Sequence, residues 1–313
     1  MNHLESIIGK KNKWWRYLLL FSTAFIGGQF LGAIPLGIVM VYKVIQNGDV
    51  TDISSVDSSN LSQFGLDQNL TLFLVMIPFI VSLILFAVLI KPIHQQTFKA
   101  VINGTSRIRW SKFFNGFFVW IAIMALYLVI DYNLNSDNFV LNFSLEKFIP
   151  LVIISVVIIP FQTTLEEVMF RGYLAQGVAA WTRNRVWVIL IPAFLFGMMH
   201  VFNPEIKEYG FWLTMPQYMI FGLVFGLITV LDDGIEIAMG AHAANNIFLS
   251  VFVTFKASAL ETPALFMQKE LDPVKDLISL FVISILFVAI LYRKNNWDMR
   301  VLFRPVEKVE LDS

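Results

Sequence analysis

The stretch TTLEEVMFRG, residues 163–172, sets two adjacent carboxylates and an arginine between apolar runs, FIPLVIISVVIIPF before it and VWVILIPAFLFGMM after it. An ionisable side chain at membrane depth costs about 2.5–3.5 kcal/mol on insertion, and it turns toward a protein interior or a wet cavity. The same constraint falls on His200, at the close of one apolar run, and on His242, Asn245 and Asn246 inside another. Helical spacing separates the two glutamates. Glu167 and Arg171 stand at i,i+4 in the order that favours an ion pair, whereas Glu166 is turned about 100° away. Glu167–Arg171 therefore reads as a positioning pair and Glu166 as the freer carboxylate. Such a carboxylate can serve as a general base near neutral pH. His242 and Asn246 are also i,i+4 and share one face, so they and His200 converge with Glu166 if their segments meet around a cavity.

Other uses of these residues stay open at this point. A Glu–Arg pair can lock two helices together, an intramembrane histidine can make only an interhelical hydrogen bond, and buried Glu and His also build proton relays in transporters. Several hydrolytic chemistries are excluded by their missing parts. The chain has no cysteine, hence no thiolate nucleophile, disulfide or thiolate metal site. Neither His200 nor His242 is followed by Glu, so there is no HExxH zinc helix. NGTSR at 103–107 is not a GxSxG elbow, and LDDG at 231–234 is not a GxGD aspartate motif.

The elements that must hold these groups are membrane helices. Hydrophobic residues make up 57% of the 313, charged residues 15%, and mean hydropathy is +0.69, against about 25% charged in soluble domains. Zero net charge says nothing about a nucleic-acid partner, but no basic stripe appears outside the loops and no such partner is expected. Eight runs approach the roughly 20 apolar residues that a span needs, near 17–42, 70–90, 114–130, 148–169, 186–203, 211–231, 235–255 and 276–292. The fold expected is an all-α polytopic bundle of about eight transmembrane helices, residues 1–313 forming one integral membrane domain. The basic N-terminal KKNKWWRYLLLF leads into an apolar run too long for a signal peptide and reads as a retained first span. Lys10, Lys11, Lys13 and Arg16, then Lys91, Lys99, Arg107, Arg109 and Lys112, then Arg183 and Arg185, and finally Arg293, Lys294, Arg300 and Arg304 occupy alternate loops. Positive-inside bias then places both termini in the cytoplasm, in the cell (plasma) membrane. The loop 46–69, rich in Ser, Asp and Asn, reads as a solvated external linker. Trp14, Trp15, Trp110 and Trp297 read as interfacial anchors, and Gly28/Gly32 and Gly222/Gly226 as close helix contacts.

Three motifs now stand in order on successive apolar segments: EEVMFR as EExxxR, FGMMH (Phe196 to His200) as FxxxH, and HAANN (His242 to Asn246) as HxxxN. Together they resemble the CAAX-protease and bacteriocin-processing (CPBP) family of intramembrane endopeptidases, which includes the type II CAAX prenyl endopeptidases. The resemblance covers about 160–250, and the first three spans resemble nothing specific. It implies a catalytic core at 148–255 and peptide hydrolysis near the cytoplasmic leaflet. Carried over by motif, Glu166 is the base, His200 helps to bind the water, and His242 and Asn246 stabilise the oxyanion, with Glu167 and Arg171 as structural positioning residues. The implied partners are the lipid bilayer and a membrane-embedded or lipid-anchored peptide or protein substrate, CAAX-type or bacteriocin-related. Metal-free hydrolysis is the favoured reading, because a histidine ligand needs an outer acceptor that the sequence does not identify. Zinc on Glu166, His200 and His242 is the alternative. A non-catalytic immunity or scaffold protein is the main rival, and a transporter the next; no repeat of broken helices favours transport.

Overall fold

Hydrocarbon cannot bond free backbone groups, so apolar segments of this length close their hydrogen bonds within helices. The computed structural model describes residues 2–47, 65–259 and 261–307, and most of the expected acidic linker lies outside the described residues. Six helices are long and apolar enough to cross a membrane: α1 (Trp14–Gln46), α2 (Gln68–His94), α4 (Trp110–Leu134), α5 (Leu145–Thr182), α8 (Phe211–Asp232) and α10 (Pro273–Asn295). Shorter helices stand between them: α3 (Phe98–Asn103), α6 (Arg185–Met198), α7 (Pro204–Tyr209) and α9 (Glu236–Phe252). The expected fifth and seventh spans are thus α6 and α9, of 14 and 17 residues. They are shorter than a span usually is, so the all-α polytopic bundle expected from the sequence is present with six long apolar helices and two shorter ones in the expected places among the described residues. At 1.5 Å per residue, α6 rises about 21 Å against an apolar layer of about 30 Å.

The EEVMFR motif does not end its span, as the sequence suggested. α5 continues to Thr182 through a π-helical segment, Val168–Leu174, because the charges are met inside the protein and apolar residues resume after Arg171. π segments of this kind concentrate at functional sites. Side-chain caps define several helix starts: the Asp67 carboxylate accepts from the N–H groups of Asn69 and Leu70 at 3.0 and 3.1 Å, and Asp272 caps α10 in the same way.

Glycine lets the central helices touch backbone to backbone. A Cβ on Gly240 of α9 would lie 1.9 Å from the Phe113 carbonyl oxygen, and one on Gly116 of α4 would lie 2.2 Å from that of Ile237. The sequence did not single out this pair. The expected contacts at Gly28/Gly32 against α2 and at Gly222/Gly226 against α6 are both present. Trp120, fully buried, packs among Phe225, Phe287 and α9, while large apolar residues such as Phe30 and Ile38 face outward as a lipid-facing surface must. Trp14, Trp15 and Trp110 are exposed, but Trp297 is buried. Its indole N–H donates to Asp232 at 3.0 Å, which corrects its reading as an interfacial anchor.

Both described ends of the chain meet at one end of the bundle. The Asn2 and His3 amides donate to Asp233 at 2.8 and 2.9 Å, Glu5 pairs with Arg185, and the Val306 amide donates to the Arg183 carbonyl at 2.9 Å. At the opposite end, β1 (Phe139–Leu141), β2 (Val253–Phe255) and β3 (Phe266–Gln268) form a sheet in the order β1-β3-β2. β1 runs antiparallel and β2 parallel to β3. This small sheet ties the loops after α4 and α9 to the entry of α10.

Candidate active site

The chemistry-bearing residues reach one place through three elements: α5 brings Glu166, Glu167 and Arg171, the turn after α6 brings His200, and α9 brings His242 and Asn246. Glu167, fully buried, accepts from the Arg171 guanidinium at 2.8 Å. Arg171 also donates to the Phe221 carbonyl at 3.2 Å, and its guanidinium lies 4.1 Å above the Phe196 ring. Phe196 of the FxxxH motif thus makes a shelf under the arginine, where the ring face attracts the cation.

His242 joins the two glutamates. Its Nδ1 lies 2.8 Å from Glu167 Oε1 and, facing a carboxylate, carries the hydrogen and donates. That leaves Nε2 turned to Glu166 Oε2 at 3.6 Å. Glu166 accepts at Oε1 from the Gln162 amide at 2.5 Å, whereas its Oε2 is buried with no hydrogen-bond partner. The pair of adjacent carboxylates is therefore divided in function by geometry: Glu167 is neutralised by arginine and orients a histidine, whereas Glu166 lines the cavity; each leaves its Oε2 without a hydrogen-bond partner among the described residues.

Asn246 does not touch Glu166 directly. Its amide donates to Gln162 Oε1 at 3.1 Å, its own oxygen accepts from Asn245 at 3.1 Å, and Asn245 accepts from the Trp120 indole at 3.2 Å. A chain of donors thus runs from the core tryptophan to the Glu166 carboxylate. Gln162 and Trp120 escaped the sequence reading. Gln162 stands four residues before Glu166, a spacing that would have found it; Trp120 lies 125 residues from its partner and offers no such signal.

His200 shares the cavity with this group rather than a direct contact. Its Nδ1 donates to the Phe196 carbonyl at 2.7 Å, and its ring stacks on Tyr218 with centroids 4.2 Å apart. Nε2 is left as the free ring nitrogen. A cavity of about 540 Å³ is lined by Glu166, His200, His242, Asn245 and Asn246, so a peptide backbone can lie against all of them.

Both histidines have the outer acceptor that a metal-bound histidine uses, Glu167 for one and the Phe196 carbonyl for the other. The ligand types suit zinc, but among the described residues no three His, Asp or Glu side chains gather closely enough to hold an ion. The geometry therefore does not fit a three-ligand metal centre.

A profile of the family described as type II CAAX prenyl endopeptidase Rce1-like matches residues 146–248. The chain is also 30% identical over 302 residues to the uncharacterized protein YyaK of Bacillus subtilis (strain 168), across 95% of this chain and 98% of that one. No solved structure matches it significantly.

Proposed function

We infer an activity from this premise: the chain belongs to the type II CAAX prenyl endopeptidase Rce1-like family. The membrane-spanning helices and the family together make it a membrane-embedded protein of a peptide-hydrolysing family. The finer reading is an intramembrane endopeptidase that cleaves membrane-associated polypeptides with a water activated by Glu166. The observation that carries it is His242 held between two unlike glutamates, one paired with Arg171 and the other on the cavity wall with no arginine partner among the described residues.

In this reading the substrate water lies between Glu166 Oε2 and His242 Nε2, a gap too long for a direct hydrogen bond and suited to a bridging oxygen. Glu166 takes a proton as the water oxygen attacks the scissile carbonyl carbon. Asn246 offers an amide hydrogen to the developing oxyanion, and His242, steadied by Glu167 on its other nitrogen, does the same through Nε2 once Glu166 passes that water proton to it. Donors placed in a dry site are worth about 3–4 kcal/mol each in the transition state. The C–N bond then breaks, the proton returns through Glu166 to the leaving amine, and a carboxylic acid and an amine result. His200, its Nδ1 committed to Phe196, presents Nε2 to the incoming water.

Cleavage of a quenched-fluorescent membrane-peptide library by the purified protein in lipid, wild type against Glu166→Gln, tests the reading. Turnover lost in a folded variant supports it, and equal turnover overturns it. The reading treats water activation as metal-free, so chelation by 1,10-phenanthroline leaves the rate within about twofold; a loss restored by added zinc would reverse that assignment.

A further inference from the structure

The cavity that holds Glu166 is not symmetric between the two ends of the bundle. From the polar cluster it runs to Asp131, Phe139, Glu205, Gln268 and Asp276, which belong to the sheet, to α7 and to the ends of α4 and α10 opposite the termini. The loops of the terminal end, 97–109, 175–185 and 232–236, contribute nothing to its wall. That end is filled: Ile102, Tyr173 and Ile235 pack as one buried cluster, and Gln176 donates to the His3 and Ala100 carbonyls at 2.8 and 2.9 Å.

Charge marks the two ends as strongly as packing does. Eight of the nine arginines, all but Arg171, lie at the terminal end. Among the described residues the cavity wall contains no lysine or arginine, and toward the sheet it carries Asp131, Glu205 and Asp276, of which Asp131 is paired with Lys275. Loops that stay in the cytoplasm are those enriched in Lys and Arg, so the filled end is the cytoplasmic one and the open end faces outward.

We propose that the substrate is a polypeptide segment presented on the extracytoplasmic side of the membrane. It enters through the mouth between α7 and the three-stranded sheet and reaches Glu166 from there. This rests on the protease reading of the same site, and it reverses the expectation of cleavage near the cytoplasmic leaflet. A cytoplasmic C-terminal tail has no route to the cluster through the filled end.

The absence of cysteine from the chain makes single-cysteine labelling clean. Leu271→Cys places a thiol on the cavity wall, and Lys99→Cys places one on an exposed position at the terminal end. Each variant is treated in intact cells with a bulky, membrane-impermeant maleimide, then purified into lipid and assayed with a water-soluble quenched-fluorescent peptide library. Leu271→Cys is expected to label from outside, and its cleavage rate to fall at least tenfold relative to its own unlabelled sample. Lys99→Cys is expected to label only after permeabilisation and to keep its rate when labelled. External labelling of Lys99→Cys with Leu271→Cys protected would overturn the sidedness. Full activity of labelled Leu271→Cys would overturn the route. If the unlabelled wild type cleaves nothing, the protease reading is what fails, and the labelling pattern still decides which side the mouth faces.

Discussion

Glu236 and Glu166 are both buried carboxylates, and the molecule treats them in opposite ways. Glu236, at the terminal end, accepts from the Arg109 amide and Nε at 3.1 and 3.0 Å, from an Arg109 terminal nitrogen at 2.6 Å, and from Asn103. Asp232 beside it binds Lys112 at 2.8 Å. Glu166, at the cavity, has one amide donor on Oε1 and none on Oε2. A saturated buried charge locks neighbouring segments. A buried charge left with an open lone pair costs stability, and it persists where something else must occupy that lone pair in turnover. The comparison separates structural from chemical use of the same side chain.

The largest effect that tests this contrast is on rate. Glu166→Gln is expected to lower kcat/KM by about 10²–10⁴-fold, the usual worth of a general base, with no loss of thermal stability in detergent. A variant that unfolds early would move Glu166 into the structural class with Glu236. Next comes stability at the other end. Arg109→Met leaves Glu236 buried without its counter-charge and should cost about 3–5 kcal/mol, read by thermal unfolding, while the protein that remains folded cleaves at the wild-type rate. Normal stability there would dissolve the distinction between the two ends.

Glu167 sits between the extremes, since it is paired like Glu236 yet touches His242. Glu167→Gln keeps an acceptor for the His242 Nδ1 hydrogen but removes the charge, and kcat should drop roughly 10–100-fold, as at other sites where a histidine loses its orienting partner. KM should stay unchanged, because Glu167 has no surface in the cavity; a rise in KM with constant kcat would mean that it shapes the pocket instead. The smallest effect concerns the mouth. Peptides with a basic flank should be cleaved a few-fold faster than acid-flanked ones at low salt, through attraction to the acidic groups of the wall. Burial raises the Glu205 carboxyl above the usual range, so its charge disappears at a higher pH than that of an exposed glutamate. The basic-flank preference should therefore weaken as pH falls through that raised range, and Glu205→Gln should flatten this pH step.

Much of the helical layout was legible because apolar runs and charged loops alternate along the chain. The two short helices were harder to read. α9 is buried on most of its surface by protein, so polar residues replace the lipid-facing apolar ones that hydropathy detects. Trp297 was misread for a related reason: an aromatic next to a basic helix end looks interfacial until Asp232 arrives from α8 to take its N–H. At the site, contacts within one turn of α5 were predictable from spacing alone, whereas the route Trp120–Asn245–Asn246–Gln162 crosses helices at every second step.

Residues 163–172 by themselves determined that a carboxylate and an arginine would pair across one helical turn, and that a second carboxylate would point elsewhere. Those outcomes depend only on 3.6 residues per turn and on the cost of charge in hydrocarbon. Which glutamate would orient His242 and which would line the cavity was decided by the tertiary structure. His242 comes from 75 residues away, on a helix held in register where Gly240 lies against Phe113. The direction in which the cavity opens was likewise settled by packing, because apolar side chains that fill one end and leave the other open have the same hydropathy.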